Sequence, residues 1–293
     1  MDAVAGDPGD VIVLIKSFSD ESYDNEVLCV AGYTMTSPQV RALDADWGRM
    51  LARYRLPYFR MSACNSREDP FKHLSEQECI DVATEAIALI GKYVAFGYAV
   101  TIDQKAFRKV ITSRGVVRTP YEMALWLTLT GVTLKKAAHI ANAGKTAFFF
   151  EAGFQHQGQA NQMMDRIFNA PAIRAHHNYK SHSFVDKVES RPTQAADLLS
   201  WQWYKNAVRV RHGRMRPRGD LLALFRSAPH YLIDVTEDRL QRLVQRLNEM
   251  SGTDFGNELA GMALRDPDHP MFPKRKGQTG NAEALETFRR GLK

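Results

Sequence analysis

A chain of 293 residues is long enough to bury a sizeable core, as one large domain or two small ones. Its 44% hydrophobic and 25% charged residues are those of an ordinary globular protein, and no apolar run approaches the roughly 20 residues that span a bilayer. The net charge of +6 permits a polyanionic partner without requiring one.

The opening MDAVAGDPGD is acidic and lacks a basic region followed by an apolar stretch, so it is not read as a secretory signal. Three widely spaced cysteines (Cys29, Cys64 and Cys79) form no zinc or redox motif and fit a reducing, cytoplasmic setting. VIVLIKSF, 11–18, is rich in β-branched residues and predicts a buried strand. The acidic, turn-prone SDESYDNE breaks it, and VLCVAGYTM, 27–35, predicts a second strand, with so short a link favouring an antiparallel hairpin. Ser37-Pro38 opens a helix over 38–54. An irregular polar segment, 57–72, precedes a helix from Ser75, where Ser75 and Glu78 have capping-box spacing.

A third strand is expected over 93–102 and a helix over 120–142. KTAFFFEAG, 145–153, predicts a fourth strand, followed by a glutamine-rich helix over 157–168. A fifth strand over 181–188 leads to a helix opened by Pro192 and running to about 209. Residues 220–228 and 236–250 read as helices. Glycine, proline and basic residues dominate from Ser251, with a weak helix near 281–290. The expected organisation is one domain over 1–250 and a C-terminal extension over 251–293, partly disordered or helical. Three strands able to form an antiparallel meander precede two strands that are each followed by a helix. That order predicts an α/β fold, a ribonuclease-H-like mixed five-stranded sheet flanked by helices, with helical insertions. Strand order alone does not fix function.

Two apparent motifs are set aside. AGKT, 143–146, resembles the end of a phosphate-binding loop, but His139 stands where the first glycine belongs and a strand follows rather than a helix. His176, His177 and His182 lie close in sequence without cysteine partners or a H-E-x-x-H helix, so they read as loop histidines rather than zinc ligands.

Three acids stand at corresponding places. Asp20, with Glu21 beside it, follows the first strand; Glu151 closes the fourth; Asp197 lies in the second turn of the helix opened by Pro192. Taken singly, each has a plain explanation, as a turn residue or as an acid favoured early in a helix. Taken together, they suggest a site. If the first and fourth strands are parallel neighbours, Asp20 and Glu151 emerge at one sheet edge, where open α/β sheets bind ligands. Helical spacing places Thr193, Gln194, Asp197, Ser200 and Trp201 on one face, a polar stripe able to turn Asp197 toward that edge. Converging carboxylates repel unless a proton or a divalent cation intervenes. Mg²⁺ or Mn²⁺ suits such oxygen ligands, and a pair of ions can promote phosphodiester hydrolysis. The expected metal ligands are Asp20, Glu21, Glu151 and Asp197, with Asp20, Glu151 and Asp197 as the catalytic set.

The stretch 204–220 holds Lys205, Arg209, Arg211, Arg214, Arg216 and Arg218 against the single acid Asp220. It reads either as a solvated helix end and loop or as a set of phosphate contacts for nucleic acid.

FSDESYDNEVLCVAGYTM, the later FFFEAG and ESRPTQAADLLSW together resemble the domain-of-unknown-function family 3800 over about residues 10–210. Its members show an Asp-Glu-Ser-Gly turn after the first strand, an acid after a later strand and a Gln-x-Ala-Asp-Leu helix. The resemblance implies a ribonuclease-H-like fold and a metal-dependent nuclease site, with Asp20, Glu151 and Asp197 at the matching positions. Tyr23 stands in place of the turn glycine, and Arg60 where many members have a histidine before a small-residue motif. A guanidinium stays charged and cannot relay protons, yet it can hold a phosphate. The expected function is therefore a Mg²⁺- or Mn²⁺-dependent nuclease, with Arg60, Lys205, Arg209, Arg211 and Arg214 contacting nucleic acid. The alternative is a non-catalytic relative that binds nucleic acid or a protein.

Overall fold

The two early apolar runs form the hairpin the sequence predicts, but a longer one. In the computed structural model, which describes residues 3–5, 11–111, 118–153, 155–214 and 216–249, strand β2 spans Val11–Tyr23 and β3 spans Val27–Thr36. They pair antiparallel, with Glu21 opposite Val30 and Ser22 opposite Cys29. Asp24 closes the turn, its Oδ1 accepting the backbone N–H groups of Glu26 and Val27, each at 2.7 Å. Asp20 and Glu21 are thus strand residues rather than turn residues. Cross-strand pairing overrides the local turn propensity of the acidic run.

A short strand β1 (Ala3–Ala5) pairs antiparallel with the start of β2, and β4 (Phe96–Asp103) pairs antiparallel with β3. On the other side of β2 lie β5 (Ala143–Glu151) and then β6 (Tyr179–Val185), both parallel to their neighbour. A further strand, β7 (His230–Val235), pairs parallel with β4. The result is a mixed seven-stranded sheet in the order β6-β5-β2-β3-β4-β7, with β1 off that path. It exceeds the expected five strands by β1 and β7. At six residues, HYLIDV was too short to stand out between two helical patterns.

Ten helices are described: α1 (Ser37–Arg53), α2 (Met61–Ser66), α3 (Glu76–Tyr93), α4 (Gln104–Val110), α5 (Pro120–His139), α6 (Gln157–Asn169), α7 (Pro171–His176), α8 (Arg191–Arg211), α9 (Gly219–Ser227) and α10 (Glu237–Glu249). The Ser75–Glu78 capping box opens α3 as expected. The short helices α2, α4 and α7 were not anticipated, because six or seven residues carry too little periodicity. Among the described residues no helix is long and apolar enough to cross a membrane. The expected extension from residue 251 lies outside the described residues.

Alternation along the central strands divides the core between the two sheet faces. Cys29, Ala31 and Tyr33 pack with Leu43, Trp47, Leu198 and Trp203 beneath α1, α3 and α8. Leu28, Val30 and Val100 pack with Leu125, Leu129, Phe148 and Phe150 beneath α5. Burial on both faces explains why these strands read as nearly continuous apolar runs.

Gly32 makes one close crossing possible. A Cβ there would lie 1.8 Å from the carbonyl oxygen of Phe18 and 2.7 Å from the hydroxyl of Tyr98. Without it, Tyr98 reaches over β3 to bond Ser19 at 2.7 Å and Ser17 at 3.0 Å. Gly32→Ala is expected to lower unfolding free energy by about 1–3 kcal/mol, the usual cost of overpacking. Urea denaturation checks this, and an unchanged midpoint would show that the strand relaxes without penalty.

Candidate active site

Register brings the first two acids together. Ser19 of β2 pairs with Phe150 of the parallel β5, so Asp20 and Glu151 are the next residues along, at the ends of adjoining strands. Phe18 and Phe149 stack on one face with ring centroids 4.7 Å apart, and Asp20 and Glu151, two residues beyond each, share that face. Helix α8 covers it. Its residues run alongside β2 in step: Ser200 donates to Ser22 at 3.0 Å, and the Tyr204 hydroxyl donates to Asp24 at 3.0 Å. One turn earlier, Asp197 comes level with Asp20. The polar stripe expected on α8 is present, and Thr193, Gln194, Asp197, Ser200 and Trp201 are all buried.

The cation among these acids is a lysine. Lys187, in the link between β6 and α8, places Nζ 2.8 Å from Asp197 Oδ1, 2.9 Å from Glu151 Oε2 and 3.4 Å from Asp20 Oδ2. Its side chain is only 11% exposed. Asp20, Glu151 and Asp197 therefore converge as the sequence predicts, around an ammonium that the sequence reading passed over. The available signal was weak: one lysine at the end of a short strand, five residues before the Pro192 that opens the helix.

Gln194 and α2 fix this arrangement. Gln194 Oε1 accepts from Trp47 Nε1 and from the backbone N–H of Phe59, each at 3.0 Å, and its Nε2 donates to the carbonyl of Lys187 at 2.8 Å. The outer oxygen of Asp197, Oδ2, accepts the backbone N–H of Met61, the first residue of α2, at 2.6 Å. That contact sets Arg60 at the rim, where its side chain is exposed and its charge is felt by Glu151.

Burial raises Asp20 well above the usual carboxylate range; Lys187 opposes this, while Glu151 and Asp197 reinforce it. Burial would also raise Glu151, but its side-chain hydrogen bond with Asp20 and the charges of Lys187 and Arg60 hold it below its ordinary value. Burial alone would lower Lys187, and the three carboxylates outweigh it and keep the ammonium charged.

Glu21 stands apart from the three. Alternation sends it to the α5 face, where both carboxylate oxygens are buried without a hydrogen-bond partner. Burial, reinforced by Glu151, pushes it up to about 8. Nearby, Tyr23 meets the His156 ring edge-on at 5.5 Å, and Tyr121 stacks on the same ring at 5.1 Å.

The basic run divides. Arg211 is taken up by ion pairs with Asp234 at 3.2 Å and Asp103 at 3.7 Å, which tie the end of α8 to β7 and β4. Of the expected phosphate contacts, Arg211 is thus placed in the scaffold. Lys205 lies over the rings of Tyr204 and Trp201, Arg209 reaches the carbonyl of Arg216 at 3.5 Å, and Arg214 is exposed. At 1.5 Å rise per residue, Lys205 and Arg209 sit roughly 12–18 Å beyond Asp197 along the helix.

The three histidines do not form a common site. His177 is buried against Trp126, and His182 is hydrogen-bonded to Tyr179 at 2.6 Å and Asn161 at 3.2 Å. Among the described residues no group of three or more His, Cys, Asp or Glu is set to hold a metal ion. The donor chemistry nonetheless fits a hard divalent cation. The donors are carboxylate oxygens on three separate elements, and Asp20 Oδ1 is buried with no partner.

No protein-family model matches the chain, and no curated protein matches it either. The resemblance to family 3800 rests on the quoted motifs alone.

Proposed function

We propose that the chain is a divalent-metal-dependent phosphodiester hydrolase acting on nucleic acid, a member of family 3800 built on a ribonuclease-H-like sheet. The observation that carries this reading is the meeting of Asp20, Glu151 and Asp197, from three separate elements, around one cationic position. The strand order β4-β3-β2-β5-β6, antiparallel over the first three strands and parallel over the last two, supports the fold assignment. On this reading β1 and β7 are additions at its margins. Three free, buried cysteines agree with a cytosolic setting.

Asp20, Glu151 and Asp197 would hold Mg²⁺ or Mn²⁺. Such an ion, when bound, makes water a stronger nucleophile and stabilises the leaving oxygen of a phosphodiester. The chain's own groups do the positioning. The Met61 N–H fixes the rotamer of Asp197, Gln194 anchors the main chain at Lys187, and Arg60 at the rim offers a planar donor to a substrate phosphate. Incubation of the full chain with single- and double-stranded DNA and RNA tests the reading. Cleavage of at least one substrate with Mg²⁺ or Mn²⁺, abolished by chelator, is the expected result; none in any of the four overturns it.

The tight seat of Lys187 favours one alternative, a non-catalytic nucleic-acid-binding protein whose acids are neutralised internally. Stable binding without metal dependence or cleavage would select it. On either reading, Lys205, Arg209 and Arg214 supply phosphate contacts. Replacing all three with alanine should flatten the dependence of log affinity on log salt by about one unit per lost contact. An unchanged slope in a filter-binding titration returns these residues to the solvated surface.

A further inference from the structure

We propose that Lys187 is a built-in counter-ion that a divalent cation must displace, so that metal loading and release of this side chain are a single exchange. The inference rests on reading the three acids as a metal site.

Three observations carry it. First, Lys187 already takes one oxygen of each of the three acids. Asp197 Oδ2 is held by the Met61 N–H and Oδ1 by Lys187, so a metal ion drawing on the inner oxygen of Asp197 meets the ammonium there. Lys187 also holds Glu151 Oε2 and Asp20 Oδ2. Second, two cations within a few ångströms of each other in a pocket where Asp20 and Asp197 are only 4% and 6% exposed repel strongly, because little water screens them. Simultaneous occupancy is therefore disfavoured. Third, the exchange needs no movement of the main chain. The Lys187 carbonyl is pinned by Gln194 Nε2 at 2.8 Å, while the flexible four-carbon stem can rotate away. Without metal, the lysine relieves the repulsion among the buried acids and lets the site close. The corollary is a metal affinity lower than three carboxylates would otherwise give.

Lys187→Met and Lys187→Gln test the exchange, with Mn²⁺ alone as probe and isothermal titration calorimetry on the full chain. Each variant should bind Mn²⁺ at least tenfold more tightly than wild type, about 1.4 kcal/mol. Without metal each should melt at a lower temperature than wild type, and saturating Mn²⁺ should raise the variant's melting temperature further than the wild type's. Lys187→Arg, which keeps the charge, should show no such gain. Glutamine retains a donor for the acids and carries the measurement if methionine leaves the metal-free chain unfolded. Equal or weaker Mn²⁺ binding by the neutral variants overturns the exchange while leaving the metal site intact. No Mn²⁺ binding by any form overturns the metal reading, and the exchange with it.

Discussion

If the chain is the proposed nuclease, Asp197→Asn is expected to lower metal-dependent cleavage by well over a hundredfold. Even groups that only orient metal ligands alter metal affinity or activity by roughly 10–100-fold, and a direct ligand should exceed that. The substitution is nearly isosteric. Its amide oxygen can still accept the Met61 N–H that Asp197 Oδ2 holds at 2.6 Å, so the start of α2 stays in place. The loss falls on the inner oxygen, which bonds Lys187 at 2.8 Å. There an amide N–H₂ would face an ammonium, two donors with no acceptor between them, although Asp20 and Glu151 still hold the lysine. Some loss of stability is therefore expected, short of the roughly 3–5 kcal/mol that follows when a buried charge is left with no partner. Cleavage assays paired with urea denaturation separate the two effects. A folded Asp197→Asn protein that cuts like wild type removes this residue from the reaction.

Gln194→Leu should be strongly destabilising. The volume is similar, but Gln194 is fully buried and serves groups on three segments. Its loss leaves Trp47 Nε1 and the Phe59 N–H without the acceptor each has at 3.0 Å, and the Lys187 carbonyl without the donor at 2.8 Å. An unsatisfied buried polar group costs about 1–3 kcal/mol, so three of them give an expected destabilisation of about 3–9 kcal/mol. Against a typical total of about 5–15 kcal/mol, that endangers folding at physiological temperature. Chemical denaturation followed by tryptophan fluorescence measures it. A loss below about 1 kcal/mol would mean that water or a backbone shift satisfies all three groups.

Much of the scaffold was legible because long elements repeat their signal. The helix opened by Pro192, the Ser75 capping box and the hairpin of β-branched runs were each found from pattern alone, and the parallel pairing of β2 with β5, only a condition in the sequence, is present. Extent was harder to read. The acidic run after Phe18 has turn composition, yet pairing with β3 keeps it extended through Tyr23. Nothing local to Asp20 or Glu21 reveals that. The three acids were legible because each stands near a strand end or in an early helix turn at matching positions. Lys187 was not, since its role exists only where β2, β5 and α8 meet. Glu21 was grouped with Asp20 by adjacency, whereas strand alternation sends neighbours to opposite faces. Arg211 was likewise grouped with a charge run, and its acidic partners lie on strands far away in sequence.

The hydrogen bond from Met61 to Asp197 makes a single amide proton a spectator of the site. That N–H opens the helix, where no α-helix supplies an acceptor of its own for the first amides. Its bond at 2.6 Å runs to the same carboxylate that meets Lys187 on its other oxygen. A change of cation at Asp197 therefore alters the charge felt by this proton without touching the rest of α2. In a nitrogen-15 correlation spectrum, the Met61 resonance should lie downfield, exchange slowly with solvent and move with the occupancy of the acids. It would read the state of the pocket from outside it, with no substrate and no turnover.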